Sequence, residues 1–443
     1  NIGVGGRLME RFALSRKKEW KENENRKPLI IRGARQVGKT WIMKTFGQQY
    51  FEKTAYVNFD NNARMKQVFE GDLDIERLVL AISAETGVSI EAENTLIIFD
   101  EIQEVPKALT SLKYFHENAP QYAIVAAGSL LGVALHQGTS FPVGKVDFLD
   151  LYPLNFREFL CAMGEKQFVS MLDSCDTQMV TVFKTKYIER LREYYFVGGM
   201  PEVVKDFSEK KDYNRVRAIQ KNLINYYQQD FSKHAEIKLV PRLNLVWNSI
   251  PMQLAKENKK YIYGQVREGS RAKDFELAIQ WLLECGLIHK VQRIQKPDLP
   301  LKAYIDFDAF KLFLVDIGLL IAMTDLDAKV IIEGNKIFTE FKGALTEQYI
   351  LQQLISDVGV IPYYYSTQNS KGEIDFLVQG KTSVIPIEVK AEENLKAKSL
   401  KAFCEKYQPS YAVRTSMSDY REQDWMTNIP LYAVKWIKNY VNQ

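Results

Sequence analysis

The feature that most constrains this 443-residue chain is a glycine-containing segment, Gly33 to Thr40, of the form GxxxxGK[ST]. It directly follows the apolar run Pro28–Ile31, and an amphipathic stretch comes after it. A buried strand that leads into a glycine-rich loop, which then opens a helix, is the setting in which this motif binds phosphate. The sequence therefore predicts a parallel α/β sheet and a nucleoside triphosphate as ligand.

The residues of this loop have distinct predicted roles. Glycines allow backbone amides to approach phosphate oxygens, and the start of the next helix adds partial positive charge. Lys39 is expected to reach the β- and γ-phosphates, and the Thr40 hydroxyl is expected to bind Mg²⁺. ATP and Mg²⁺ are the predicted cofactors, and the predicted nucleotide-binding residues are Gly33, Ala34, Arg35, Gln36, Val37, Gly38, Lys39 and Thr40.

A second apolar run, Thr95–Phe99, ends in two carboxylates, Asp100 and Glu101. Ligands bind at the carboxyl ends of parallel strands, so both side chains are expected near the phosphates. Asp100 is predicted to hold Mg²⁺, and Glu101 to polarise the water that attacks the γ-phosphate. The alternative is an exposed acidic turn after a strand, and the upstream phosphate loop argues against it.

A third run, Tyr122–Ala126, leads to Ser129. A small polar residue at the end of this strand can contact the γ-phosphate or the attacking water, so Ser129 is a candidate sensor. An ordinary turn serine is an equally good interpretation, because serine and glycine favour turns.

Composition excludes several classes of protein. The hydrophobic content of 46% and charged content of 26% are ordinary for globular domains, and a net charge of +4 is too small to indicate nucleic acid by itself. The four cysteines and four histidines are scattered, which argues against a disulfide framework and a zinc site. The longest apolar stretch, Phe310–Met323, contains Lys311 and Asp316 and is too short to span a bilayer. We therefore expect a buried core helix there, no membrane contact and a cytoplasmic protein.

The middle of the chain has a different pattern. Residues 155–235 are mostly helical in pattern, with a break at Gly198–Pro201. Further on, a helix over 272–285, Gly286 and the strand-like Leu287–Val291 follow one another, which is the order of a winged-helix module. Arg267 and Arg271 precede that helix, where they could contact a DNA groove. A role of the helix in packing or in protein binding is an equally good interpretation.

Four residues near the C-terminus indicate a second site. Asp375 lies on one strand-like run, and Glu388 and Lys390 lie on the next, two residues apart and therefore on one face. A carboxylate pair beside a lysine can hold Mg²⁺ and activate water against a phosphodiester. The order D-x₁₂-ExK resembles the PD-(D/E)XK nucleases, and that resemblance implies that the upstream helical acid Glu347 is a further metal ligand. Ile374 stands where those nucleases have proline, and D…ExK also occurs by chance.

Most of the chain, from about residue 28 to 400, resembles bacterial AAA-superfamily ATPases that have a long C-terminal region of unassigned function with a restriction-endonuclease-like end. The segments GARQVGKT and IIFDEIQ identify only the superfamily, whereas LYPLNFREFL, GGMPEVV, FKLFLVDIGLL, GEIDFLV and IPIEVKA are more specific. The resemblance implies a P-loop NTPase sheet flanked by helices, a helical and winged-helix middle region and an α/β nuclease-like end. The predicted domains are an N-terminal helix and linker at 1–27, the ATPase at 28–150, a helical domain at 151–235, a winged-helix-like region at 236–335 and the nuclease-like domain at 336–443.

One departure from the resemblance concerns the pair Gly144-Lys145, because such ATPases often have Gly-Arg after the sensor strand. If that arginine acts as a finger, Lys145 supplies a point charge without the bidentate fork. Hydrolysis would then be slow, or Arg271 or Arg267 would act as the finger in place of Lys145.

Two functions are consistent with these observations. The first is an Mg²⁺-dependent ATPase coupled to a nuclease-like domain that acts on or binds DNA. The second is a nucleotide-controlled switch that binds a protein partner, with the nuclease fold kept only for interaction. Oligomers are compatible with both.

Overall fold

The computed structural model describes residues 10–128, 142–256, 259–333, 339–367, 372–393 and 397–443, which form two compact units. The N-terminal unit comprises Arg11–Tyr152 together with the short segment Glu284–Leu287. The C-terminal unit comprises Glu10, Pro153–Leu283 and Ile288–Gln443.

The N-terminal unit is a parallel sheet with flanking helices, as predicted. Its five strands lie in the order β2-β3-β4-β1-β5, and every pairing is parallel. The strands are β1 (Leu29–Arg32), β2 (Lys53–Asn58), β3 (Thr95–Asp100), β4 (Ala123–Ala127) and β5 (Asp147–Asp150). The helices are α1 (Ala13–Glu22), α2 (Lys39–Tyr50), α3 (Ala63–Glu70), α4 (Ile75–Thr86) and α5 (Pro106–Asn118).

The sequence explains why this sheet is covered on both faces. Every residue of β3 and β4 is buried, as continuous apolar runs in a parallel sheet require. Three phenylalanines, Phe59, Phe69 and Phe99, pack edge to face beside the sheet. The first helix extends to Glu22, so the linker predicted within residues 1–27 can begin only after that residue.

The C-terminal unit begins with the predicted helices. They are α6 (Phe156–Ala162), α7 (Lys166–Asp173), α8 (Thr177–Val182), α9 (Lys184–Val197), α10 (Pro201–Lys210) and α11 (Tyr213–His234), followed by α12 (Val240–Leu254), α13 (Tyr263–Val266) and α14 (Ala272–Glu284). The predicted break at Gly198–Pro201 separates α9 from α10. Later helices are α15 (Ile317–Met323), α16 (Ala328–Ile332), α17 (Thr339–Gln353), α18 (Lys398–Tyr407) and α19 (Ile437–Val441).

A mixed sheet of eight strands forms the rest of the C-terminal unit, in the order β12-β13-β11-β10-β9-β8-β6-β7. Its strands are β6 (Ile288–Ile294), β7 (Ile305–Leu314), β8 (Tyr363–Ser366), β9 (Glu373–Gln379), β10 (Val384–Val389), β11 (Val413–Ser416), β12 (Arg421–Gln423) and β13 (Met426–Pro430). Helix α17 packs against β10, and α18 packs against both β9 and β10.

The winged-helix prediction is not confirmed. Helix α14, Gly286 and the antiparallel hairpin β6–β7 do occur in the predicted order. However, β6 also pairs in parallel with β8, so the hairpin is part of the large sheet rather than a free-standing wing. The domain boundaries predicted at 235/236 and 335/336 accordingly lie inside one unit, whereas the one at 150/151 lies close to the unit boundary after Tyr152.

The apolar stretch Phe310–Met323 was expected to form one core helix, and that expectation is wrong for its first half. Residues up to Leu314 belong to strand β7, and helix α15 begins only at Ile317. A continuous apolar run has no helical period, and pairing with β6 satisfies its backbone groups. In the part of the chain that the structure describes, no helix combines the length and apolarity needed to cross a membrane.

Candidate functional site

The loop between β1 and α2 has a backbone conformation that depends on glycine. Gly33 and Gly38 have φ values of 147° and 94°. A Cβ atom at Gly33 would lie 2.2 Å from the carbonyl oxygen of Leu151, so no larger residue fits there. Gly38 is the N-cap of α2 and has no side chain that could cap it, so the first amides of the helix are available to an anion.

Lys39 turns back over this loop. Its ammonium group donates to the carbonyl oxygens of Gly33 at 2.8 Å and Ala34 at 2.7 Å. Burial lowers the pKa of Lys39 to about 8, although the carboxylates of Glu101 and Asp100 oppose that shift. Lys39 is the only buried cation of the described loop, and its ammonium group contacts two of the loop's carbonyl oxygens.

Asp100, at the end of β3, is hydrogen-bonded to the segment that contains the phosphate loop. The Thr40 hydroxyl at the start of α2 donates to Asp100 Oδ2 at 2.7 Å. The hydroxyl of Tyr56, on the neighbouring strand β2, donates to the same oxygen at 2.9 Å. Burial, followed by the charge of Asp100, raises the pKa of Tyr56, which therefore stays a donor. The carboxylate is fixed in place because two hydroxyl groups hold one of its oxygens.

Glu101 directly follows β3 in an unusual backbone conformation. Its φ is 50°, in the left-handed region that residues other than glycine rarely adopt. The Gln103 side-chain amide donates to Glu101 Oε2 at 2.6 Å, and the Glu101 amide donates to Asp100 Oδ1 at 3.1 Å. Such conformations cluster at functional sites, where the surrounding structure holds them. The half-buried carboxylate is thus oriented on the same strand end as Asp100.

These residues suit Mg²⁺ shared with a nucleotide. Mg²⁺ prefers oxygen ligands and usually takes one or two from the protein, with water and phosphate supplying the others. The Thr40 hydroxyl and the Asp100 carboxylate are two such ligands, already within hydrogen-bond distance of each other. Over the described ranges, no group of three or more His, Cys, Asp or Glu could hold a metal ion alone.

Two other predicted residues, Ser129 and Lys145, have no described contact with this site. Ser129 lies outside the described residues. Asp147 pairs with Leu29 at the amino end of β1. Lys145 precedes Asp147, so it lies near the amino ends of the strands, whereas the phosphate loop lies at their carboxyl ends. Lys145 instead forms an ion pair with Glu117 at 3.0 Å. The phosphate loop leaves β1 at its carboxyl end, and the role predicted for Lys145 stays a prediction.

Three residues at the site were missed by sequence reasoning. One is Tyr56, described above. Another is Arg11, whose guanidinium donates to the carbonyl oxygens of Val37 at 3.0 Å and Tyr152 at 2.6 Å, tying the loop to the end of the sheet. The third is Gly286, with φ of 70°, where a Cβ atom would lie 3.1 Å from the Ala34 amide nitrogen. A glycine after a helix signals only the helix end, so nothing local revealed that contact.

The C-terminal candidate residues lie on or directly after three elements, α17, β9 and β10, and β9 pairs antiparallel with β10. Burial and the neighbouring Glu347 raise the pKa of Asp375, so these two acids are adjacent. The Val389 amide donates to Asp375 Oδ2 at 2.7 Å. Burial alone would raise the pKa of Glu347, but Lys259 and then Lys311 hold it below its usual value.

Glu388 lies on β10, the strand that pairs with the one carrying Asp375. It accepts a hydrogen bond from the Leu400 amide at 3.2 Å, and its other oxygen lies 2.7 Å from the Lys390 ammonium. Lys390 directly follows β10, and this contact agrees with the prediction that the two side chains point to the same side. Each of the four candidate residues thus has at least one protein partner, although Glu347 Oε2 accepts no hydrogen bond among the described residues.

Comparison with known proteins identifies the N-terminal unit. Residues 25–160 match the family model described as an AAA domain, and residues 188–330 and 342–434 match two models described as domains of unknown function, DUF8612 and DUF4143. No curated protein matches the chain.

Similar solved structures include a Walker-type ATPase of Pyrococcus abyssi, at 15% identity and a TM-score of 0.44, with 72% of this chain and 96% of that chain covered. The Aeropyrum pernix Orc1 protein in complex with DNA matches at 13% identity and a TM-score of 0.28, covering 72% and 94%. The Thermotoga maritima RuvB branch migration motor matches at 11% identity and a TM-score of 0.28, covering 63% and 89%. These scores carry no argument about function. The family match, together with the geometry of Lys39, Thr40 and Asp100, identifies residues 25–160 as an AAA-type P-loop ATPase domain.

Proposed function

We propose that this chain hydrolyses ATP in an Mg²⁺-dependent reaction at its N-terminal unit. The observation that carries the proposal is the 2.7 Å contact between the Thr40 hydroxyl and Asp100 Oδ2. It joins the helix after the phosphate loop to the carboxyl end of β3, although 60 residues separate the two in sequence. A phosphate loop alone binds nucleotide, whereas this contact supports a metal-binding role for the carboxylate beside it.

Each side chain then has a defined part. The amides at the start of α2 and in the loop hold the phosphate oxygens, and Lys39 exchanges its two carbonyl partners for them. Thr40 and Asp100 hold Mg²⁺, which supplies neutralisation of the charge that develops on the phosphates. Glu101 holds the attacking water and accepts its proton, and Gln103 keeps that carboxylate oriented.

The test is phosphate release by the purified 443-residue chain with ATP, in Mg²⁺ and in excess EDTA. We expect hydrolysis in Mg²⁺ and a fall to the rate of the buffer alone in EDTA, because the phosphates then lose their metal. Nucleotide extracted from the purified protein is identified in the same preparation by chromatography. Hydrolysis that persists in EDTA, or its absence with every divalent metal tried, would contradict the proposal.

The lowered pKa of Lys39 predicts how ATP binding depends on pH. In the free protein burial sets that pKa at about 8, and bound phosphates must raise it because they favour the ammonium form. Above pH 8, binding therefore takes up a proton, and apparent affinity falls by about tenfold for each pH unit until the bound form also titrates.

Calorimetry at pH 8.5 in two buffers of different ionisation enthalpy measures this proton uptake directly. In Lys39→Arg the cation stays charged at every pH used, so any remaining affinity should lose its pH dependence. Equal wild-type affinities at pH 7.5 and 9.5 would show that the ammonium does not control binding.

For the C-terminal unit we propose an interaction module under nucleotide control rather than a nuclease. The observation in favour is that Glu347, Glu388 and Asp375 are each engaged by lysines or backbone amides. The assay combines linear, circular and single-stranded DNA with Mg²⁺ or Mn²⁺, and we expect no cleavage by the wild-type chain. Cleavage that disappears in Asp375→Ala would support the nuclease instead, and DNA retention without cleavage would identify DNA as the bound partner.

A further inference from the structure

Lys311 is the more deeply buried of the two lysines that contact the acids Glu347 and Glu373. It lies on strand β7, and its side chain has no solvent-exposed surface. Its ammonium group contacts the Glu373 carboxylate on β9 and lies 3.7 Å from Glu347 Oε2 on α17. The ring of Tyr364 lies beneath it, 4.8 Å from ring centre to nitrogen. A cation removed from water in this way requires anions beside it, because burying an unpaired charge is prohibitively costly.

Lys259 approaches the same acid from another direction. Its ammonium contacts the other oxygen of Glu347, and its side chain is only 13% exposed. The backbone nearby is anchored, since the Tyr261 amide donates to the Phe310 carbonyl on β7 at 2.8 Å. Glu347 therefore has one lysine at each carboxylate oxygen.

The charges of this group nearly balance without any other ion. We use "lysine–acid cluster" for Lys259, Lys311, Glu347, Glu373 and Asp375. It contains two ammonium groups and three carboxyl groups, so its net charge is one unit negative at most. A divalent ion would bring two further positive charges next to two lysines.

We propose that Lys259 and Lys311 are the resident cations of this cluster, in the position where a nuclease of similar sequence pattern would hold a metal. Glu347 and Glu373 then serve as counter-ions of a buried lysine, and the C-terminal unit folds and binds its partner without a divalent metal. The proposal rests on the geometry of this unit and holds whether or not the N-terminal unit hydrolyses ATP.

The sign of one stability change separates the two assignments. Suppose first that the acids form a metal site, which is empty in EDTA. Glu347→Gln would then remove repulsion between Glu347 and Asp375, and the melting temperature in EDTA would rise. If they are counter-ions, the same change leaves Lys259 and Lys311 short of one anion. We then expect the melting temperature of the full chain in EDTA to fall by roughly 5 °C or more.

A matched control is Glu392→Gln, which removes an exposed carboxylate that pairs with Lys342 and should shift the melting temperature by less than about 1 °C. The double variant Glu347→Gln/Lys259→Met should recover part of the loss, since it removes a cation together with its anion. This second comparison also serves if Glu347→Gln alone does not fold. An unchanged or raised melting temperature in Glu347→Gln would overturn the proposal.

Metal binding gives an independent readout. In an Asp100→Asn background, which removes the N-terminal carboxylate, we expect no saturable Mn²⁺ binding by electron paramagnetic resonance without nucleotide. Saturable binding that is lost on Glu347→Gln would show that the acids form a metal site and that the lysines yield to it.

Discussion

Glu101→Gln should bind ATP with wild-type affinity and hydrolyse it at least about 100-fold more slowly, in the range that loss of a general base produces. Glutamine has the shape of glutamate and its carbonyl oxygen can still accept from Gln103, so the strand end should keep its structure. Its amide cannot accept the proton of the attacking water. Single-turnover hydrolysis and equilibrium binding, measured on the same preparation, separate the two effects.

The matched control for that variant is Glu104→Gln. Glu104 lies three residues further on and is exposed, and its carboxylate pairs weakly with Lys66 at 3.9 Å. We expect wild-type hydrolysis from Glu104→Gln. If Glu101→Gln also hydrolyses ATP at the wild-type rate, another residue must orient the water.

Lys39→Ala should lose ATP affinity on the order of 100-fold, because charge-assisted contacts to phosphate contribute about 1.5–3 kcal/mol each. The loop amides would remain, but the buried cation that now contacts Gly33 and Ala34 would be gone. Titration with a fluorescent ATP analogue measures the loss, and the melting temperature without nucleotide shows whether the fold is intact.

Lys18→Ala is the control for this substitution. Lys18 lies on α1 in the same unit, and its exposed side chain pairs only with Glu22 one turn along the helix in the described contacts. Its removal takes away one positive charge without touching the loop. Comparable losses from both variants would indicate a general charge effect rather than a contact to phosphate.

The nucleotide site could be predicted because its residues lie in short, contiguous segments with strong local signals. The loop from Gly33 to Thr40 and the strand that ends at Asp100 each carry a pattern whose geometry follows from strand and helix periods. Their meeting at 2.7 Å follows from the parallel sheet, in which β4 alone separates β1 from β3. The roles of Asp100 and Glu101 themselves stay predictions.

The missed features depend on contacts between distant parts of the chain. Arg11 reaches Val37 and Tyr152, and neither contact leaves a mark in the residues around Arg11. The C-terminal acids were recognised, but their lysine partners were not. Lys311 was taken for a polar interruption of an apolar helix, because its strand conformation depends on pairing with β6. Only the fold shows that Glu347 has a charged partner on each oxygen.

The segment Glu284–Leu287 has a consequence for how the molecule can be divided. The chain passes between the two units after Glu10, Tyr152, Leu283 and Leu287. A fragment that ends at Tyr152 would contain every residue of the phosphate loop. It would lack Gly286, which lies beside Ala34, and the buried residues Cys285 and Leu287. The N-terminal unit therefore cannot be produced whole as one continuous fragment that ends at Tyr152. Its phosphate loop approaches Gly286, which is synthesised more than a hundred residues after Tyr152, so translation must pass Gly286 before that contact can form.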